Sequence, residues 1–464
     1  MRKILLASVA TMGVTLAMSG AAKAQPVKPV APGTMVVHLN GYLQFEVGDE
    51  SSTFNTITNA AGTYKLNPVT TIGDFRLYPG FDAQTVDGIE YGVASEIRTG
   101  YSNAGVGQNG KASVTTTTTI TTVSGKTTVA SASTNNTLSA LYVKRAYGYV
   151  GTPEFGFVRF GQTDSAFTLL QAGVVEAFGD GGQWTLEGGE ALMFPSAATP
   201  AGGNQFIYAD QTAVYATDKV VYVSPVYAGF NVVAGYEANS NGLKEGYLSD
   251  AAASSTSANL SSSPAPGDIG SRRKNTIDGG VQYLETINGY KIKASADILH
   301  GAPIAYTGPA DTLPATAPYG YDSLNVYQFG GQVTFAGLTL GANVKGGQVE
   351  DNYTFKPKGG RDALAYIIGA SYVIGPYVVG ASYFNSQSSG GYTPAKAGIA
   401  RTLSEYGVAV GGNYVISPNL SLFTQYEYGH RHQPGNSFGV TEVPARTKGT
   451  SQGQAIAVGA TIKW

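Results

Sequence analysis

The chain runs to 464 residues, rich in Gly (62) and Tyr (30), with no cysteine and only 13% charged side chains, about half the usual globular share. Without disulfides a secreted chain of this size must be held by burial or backbone pairing, and its formal net charge of −2 argues against nucleic acid as a partner.

Arg2 and Lys3 precede an apolar run from Ile4 to Met18, and Ala22-Lys23-Ala24 then places small residues ahead of Gln25. That is the pattern of a secretory signal peptide over residues 1–24, its apolar run too short for a membrane anchor. Its removal takes three cations and no acid, leaving 26 Lys and Arg against 31 Asp and Glu over 25–464, a net charge of −5. No later apolar run is long enough for a membrane helix.

Residues 37–47 alternate strictly. Val37, Leu39, Leu43, Phe45 and Val47 share one parity, whereas His38, Asn40, Tyr42, Gln44 and Glu46 share the other, so a strand here has one apolar and one polar face. The pattern returns at 72–83, 88–98, 138–150, 155–162, 218–224, 230–237, 279–285, 291–300, 325–335, 338–347, 364–374, 377–386, 404–416, 420–429 and 454–464.

Connection lengths carry the stronger argument. Those after even strands are short (86–87, 151–154, 225–229, 286–290, 336–337, 375–376 and 417–419). Those after odd strands are long (48–71, 102–137, about 164–211, 238–276, 301–324, 348–363, 387–403 and 430–453). A soluble sandwich has no reason to put every long loop at one end; an outer-membrane barrel has short periplasmic turns and long outer loops. A strand of about ten residues tilted near 45° spans roughly 23 Å, the height of such a barrel's apolar band. The expectation is an all-β fold, a transmembrane antiparallel up-and-down β-barrel of about 16 strands whose last strand pairs with its first, since an open edge in lipid leaves backbone groups unpaired.

The segment from Asp164 to about Gln211 differs from the other long connections. It carries Phe167, Leu169, Leu170, Val174, Val175, Phe178, Trp184, Leu192 and Phe194, too apolar for a solvated tail, and is expected to fold into the lumen. The other outer loops read as hydrated: 114–129 is threonine-rich, with the makings of a β-flap that latches a neighbouring subunit, and 251–266 is rich in Ala, Ser and Pro.

With Val37-His38-Leu39-Asn40-Gly41-Tyr42 opening the first strand, residues 156–162 leading into the long third loop and a closing strand that ends on aromatic Trp464, the chain resembles the trimeric general porins of Gram-negative bacteria, alphaproteobacterial members most of all. The resemblance implies a sixteen-stranded barrel, a homotrimer, a third loop folded inward as a constriction, and a C-terminal aromatic read by the assembly machinery; Trp464 stands where phenylalanine is more usual.

A pore selects by width and lining charge. Arg76, Arg98, Lys144 and Arg159 stand on the polar parity of the early strands as a candidate basic wall; Asp164, Glu176, Asp180, Glu187 and Glu190 are the acids of the third loop that would face it. In the family such an arrangement makes a transverse field that disfavours apolar solutes. Arg145 falls on the apolar parity with Leu141, Val143, Tyr147 and Tyr149, which places it at a subunit contact unless a bulge shifts the register.

Enzyme-like motifs are thin. Residues 435–439 match a nucleophile elbow and 105–110 a dinucleotide fingerprint by letters alone, and His430 and His432 lack a third metal ligand placed by sequence. The function expected is passive diffusion of small hydrophilic solutes and ions through a water-filled channel in the cell outer membrane, with no reaction, cofactor or metal, and with outer-membrane lipid and lipopolysaccharide as surroundings. The rivals are a substrate-selective porin for sugars or anions, and a non-conducting barrel acting as adhesin or enzyme.

Overall fold

The computed structural model describes residues 31–53, 56–59, 62–65, 67–99, 121–123, 126–128, 141–184, 188–189, 193, 217–239, 273–303, 321–349, 353, 355–356, 358–389, 402–433 and 449–464. Residues 1–24, Glu187, Glu190 and the glycine motifs at 105–110 and 435–439 lie outside the described residues.

The strands are β1 (Met35–Ser52), β2 (Thr56–Asn59), β3 (Gly62–Lys65), β4 (Val69–Gln84), β5 (Glu90–Thr99), β6 (Thr121–Val123), β7 (Lys126–Thr128), β8 (Leu141–Thr152), β9 (Gly156–Thr163), β10 (Thr217–Val223), β11 (Phe230–Asn239), β12 (Arg273–Ile287), β13 (Tyr290–Pro303), β14 (Leu324–Phe335), β15 (Leu338–Gln348), β16 (Ala363–Ile374), β17 (Tyr377–Ser388), β18 (Leu403–Ser417), β19 (Leu420–His432) and β20 (Thr450–Lys463). Sixteen of them close into one antiparallel barrel in chain order, with β20 returning to β1. The remaining four pair as two short hairpins, β2 with β3 and β6 with β7, the latter inside the threonine-rich segment.

Closure removes the open edge. Leu43 stands opposite Ile462 and Phe45 opposite Ala460, and beyond the last ladder pair Gly41 N–H donates to the Trp464 carbonyl at 3.0 Å. The Trp464 ring lies against Gly41, where a Cβ would overlap it, and 6.1 Å from the Phe75 ring.

The outward parity is apolar all round the barrel, as at Phe45, Val220, Tyr236, Ile298, Phe329, Leu340, Ile368, Val410 and Ile456, all exposed. Lipid is the environment that such a surface fits. No described helix is long and apolar enough to cross a membrane. The short turns carry left-handed residue pairs: Asn288 and Gly289 have φ of 50° and 85°, Ala336 and Gly337 of 47° and 84°. Positive φ at both central residues is the two-residue turn whose twist matches the strands it joins.

One local irregularity matters for the lumen. Between β5 and β8 the register shifts, with Glu96 opposite Arg145 but Ile97 opposite Val143, so Lys144 is an extra, bulged residue. Val143 therefore faces lipid while Arg145, Tyr147 and Tyr149 face inward. The subunit contact expected of Arg145 is corrected by this: the bulge, not a protein interface, removes it from lipid, and Arg145 is buried inside the barrel.

Candidate functional site in the barrel lumen

The inward parity of the first strands builds a charged wall. Arg76 pairs with Asp74 beside it and approaches Glu96 at 3.9 Å; Arg98 pairs with Glu96. Arg145 Nε lies 2.9 Å from Glu96 Oε2, and its Nη1 lies 2.5 Å from Asp164 Oδ1. Arg159 Nη1 stands 3.8 Å from Asp164 Oδ2, with its guanidinium 5.3 Å from the centre of the Tyr147 ring. Tyr42 carries Arg76 over its ring at 5.3 Å, and the Tyr149 hydroxyl bonds Asp82. Lys144 is buried at the bulge. Five cations thus share one wall with five carboxylates; Asp74, Glu96 and Asp164 hold the guanidiniums in a lattice of charge-assisted hydrogen bonds, and Asp82 and Glu90 stand beyond them on β4 and β5.

From Asp164 the chain leaves the wall and runs round the inside of the barrel. Ser165 caps the single helical turn Ala166–Leu169, its side chain accepting from Thr168 N–H at 3.3 Å. Asp278 of β12 accepts the N–H groups of Ala166 and Phe167, the latter at 3.3 Å. Inward side chains of successive strands then donate to the segment's carbonyls: Gln282 to Leu170 at 2.7 Å, Lys293 to Gln171 at 2.6 Å, Gln328 to Phe167 at 3.3 Å and Asn343 to Ala172 at 2.8 Å. Further on, Asn413 donates to the Gly179 carbonyl at 2.7 Å, Gln425 accepts from Asp180 N–H at 2.7 Å, and Trp184 Nε1 reaches Ser382 at 3.3 Å. Irregular backbone inside a membrane barrel needs such partners, and here polar side chains of β12, β13, β14, β15, β18 and β19 supply them.

Apolar sockets complete the seat. Ala166 and Leu170 pack on Val221 and Val233, both inward-facing and buried. Phe178 and Trp184 are fully buried among Ile367, Val378, Phe384 and Ala409, with the Trp184 and Phe384 rings 4.7 Å apart. Each such ring contributes about 2 kcal/mol by burial. Wall glycines make room: a Cβ on Gly407 would stand 2.5 Å from Trp184, and one on Gly341 would stand 2.6 Å from Val175.

A second segment also lies inward. Tyr353 and Phe355, in the connection from β15 to β16, are buried, Tyr353 edge-on to Phe167 at 5.7 Å. Lys345 donates to the Tyr353 hydroxyl at 2.7 Å, and Lys356 pairs with Asp322 at 3.0 Å and Asp362 at 2.8 Å. Those pairs hold the Lys356 ammonium charged, its burial notwithstanding. Sequence reasoning left this connection with the hydrated loops; two aromatics between glycines and lysines give no periodic signal.

The third-loop acids do not form one row opposite the arginines. Asp164 sits at the root of the segment, bound to Arg145 and Arg159. Glu176 and Asp180 lie instead beside Glu427 of β19, on the stretch of wall that adjoins β4 through β20 and β1. Burial, with Asp180 nearby, pushes the Glu176 carboxyl up to about 8, and burial raises Asp180 as well. Lys219 and Arg273, which the strand patterns did not single out, also face inward and share Glu237, at 3.7 Å and 2.9 Å. No group of three or more His, Cys, Asp or Glu that could hold a metal occurs among the described residues. His430 and His432 stand on the outward parity, with His430 stacked on Tyr406 at 4.8 Å and His432 bonded to Thr450 at 3.0 Å.

Residues 7–433 match the family model of the Gram-negative porins. No curated protein matches the sequence. Among solved structures, an anion-selective porin from Comamonas acidovorans aligns over 93% of this chain and 100% of its own at 15% identity, with a TM-score of 0.51. The outer membrane channel DcaP of Acinetobacter baumannii aligns over 93% and 97% at 12% identity, with a TM-score of 0.52. At these identities the likeness speaks to the closed barrel, and the family match speaks to what the barrel does. The chain belongs to the Gram-negative porin family, as an outer-membrane channel for diffusion.

Proposed function

We propose that the protein is a general diffusion porin of the alphaproteobacterial kind, passing small hydrophilic solutes and ions through a water-filled lumen narrowed by residues 164–184. The observation that carries this reading is the series of hydrogen bonds from inward side chains of β12 to β19 to that segment, which supports a fixed constriction. Size exclusion acts there, and charge modifies it: Arg76, Arg98, Lys144, Arg145 and Arg159 line one side, while Asp164, Glu176 and Asp180, with Glu187 and Glu190 further along, are the loop's acids. The exported precursor loses residues 1–24, and the mature barrel works as a homotrimer set in lipid and lipopolysaccharide, with no reaction and no cofactor.

Liposome swelling tests the size-exclusion part. Proteoliposomes should admit monosaccharides faster than disaccharides and all but exclude larger oligosaccharides; equal rates for all sizes would remove the constriction from the account.

A further inference from the structure

Four carboxyl groups from three parts of the chain meet where the inward segment rests on β19 and β1. Glu46 comes from β1 and Glu427 from β19, both fully buried; Glu176 and Asp180 come from the segment. Gln425 ties the two sides, accepting from Asp180 N–H at 2.7 Å and donating to Glu46 at 3.3 Å. Gly189 lies so close to the Glu427 carboxyl that a Cβ would overlap it. Both oxygens of Glu427 and Oε1 of Glu46 are buried without a hydrogen-bond partner.

Little positive charge answers this group. Lys345 of β15 faces Glu176, but its ammonium also serves the Tyr353 hydroxyl and Asp297 of β13. On β1, Tyr42 stands close to Asp180 and also to Arg76, which is paired with Asp74 of β4. One step up β19, Arg431 is taken by Glu405 of β18 at 2.7 Å. The stretches of β16 and β17 beneath the segment offer Ala365, Ile367, Ser382 and Phe384, none of them charged. Four acids in a desolvated pocket cannot all ionise at once.

The geometry points to a proton-held clasp: protons shared among the four carboxyls keep residues 176–184 and Gly189 seated on β19 and β1, and their loss in alkaline conditions releases them from the wall. The inference deepens the constriction reading, adding a means by which the narrowed section changes width. Its sign follows from the seated state favouring the neutral acids. Seating is strongest below the ordinary carboxylate range, weakens above it, and is lost as the pH climbs through about 8, the value for Glu176.

Trp184 reports on the clasp directly. The chain has two tryptophans, and Trp184 is fully buried at the seat while Trp464 lies on the outer surface. In Trp464→Phe protein refolded in detergent, Trp184 emission should shift to the red and acrylamide quenching should rise several-fold between about pH 6 and about pH 9. The barrel's strand signal in far-UV circular dichroism should stay constant. A Glu176→Gln/Glu427→Gln pair, which keeps the neutral shape and removes the group that titrates near 8, should hold Trp184 buried across that range. If Trp464→Phe does not refold, the wild-type chain serves, with Trp464 as a pH-independent background. A pH-independent Trp184, an identical shift in the glutamine pair, or release by a chelator at pH 6 would each overturn the clasp. Conductance measured on the same samples tests the channel reading separately, since Trp184 can move in a barrel that does not conduct.

Discussion

Arg145 ties the wall to the root of the inward segment, with one nitrogen on Glu96 and another on Asp164, and is itself buried. Breaking a buried ion pair from one side is costly, and here it leaves Glu96 to Arg98 and Arg76 and Asp164 to the more distant Arg159. Arg145→Gln should therefore cost about 3 kcal/mol, read as a lower denaturant midpoint for loss of the folded, heat-modifiable band. A midpoint within error of the wild type would mean that the cluster does not anchor the segment. Gly407 offers a complementary test, because Gly407→Ala drives a methyl into the space between Trp184 and Phe384. Overpacking there should cost about 1–3 kcal/mol and raise Trp184 exposure; an unshifted Trp184 emission would contradict the tight seat. Neither residue announced its role in the sequence. Arg145 sat on what reads as a lipid-facing parity, and only a register shift that no composition or periodicity encodes brings it inside. Which way Glu176 and Asp180 turn was equally illegible, because loop backbone direction has no repeating pattern to read.

At the scale of the element, the bulge in β8 is a device with a defined consequence. Lys144 is the inserted residue, so deleting it leaves Val143 facing lipid and Arg145 facing inward, with every later side chain on its present face. Deleting Gly148 instead would turn one end of the strand inside out, since a one-residue slip exchanges the two faces. The first deletion should yield a heat-modifiable barrel in near wild-type amount and the second should not; equal yields from both would deny the bulge. The strands themselves were legible, since lipid outside and water or polar loop inside enforce a period of two. Their ends were less so: β1 extends to Met35 and Ser52 beyond the alternating core at 37–47. The inner apolar sockets at Val221, Val233, Ile367 and Phe384 interrupt the polar parity, and they make sense only once the segment that fills them is in place.

For the whole molecule, closure, an apolar exterior and a seated inner segment together define a channel of restricted width. The wall of β4, β5, β8 and β9 presents Arg76, Arg98, Lys144, Arg145 and Arg159 among Asp74, Asp82, Glu90 and Glu96, with Asp164 at the loop root, whereas Glu176 and Asp180 are turned toward Glu427 of β19 and Glu46 of β1, the side that adjoins β4. Asp82 and Glu90 stand on the same wall, so five carboxylates answer the five cations, and ions crossing should meet a nearly balanced surface with weak selectivity that salt screens further. In a salt gradient the reversal potential should stay close to zero; a strong preference of either sign would mean that charges other than this balanced wall govern the path. The measurement that reaches the central claim most directly is the conductance of the refolded mature protein in a planar bilayer. The account predicts stepwise openings, grouped in threes for a homotrimer, each smaller than in a variant lacking residues 166–184. A folded, heat-modifiable barrel that never conducts would contradict it, and so would a variant whose steps are no larger than those of the intact chain.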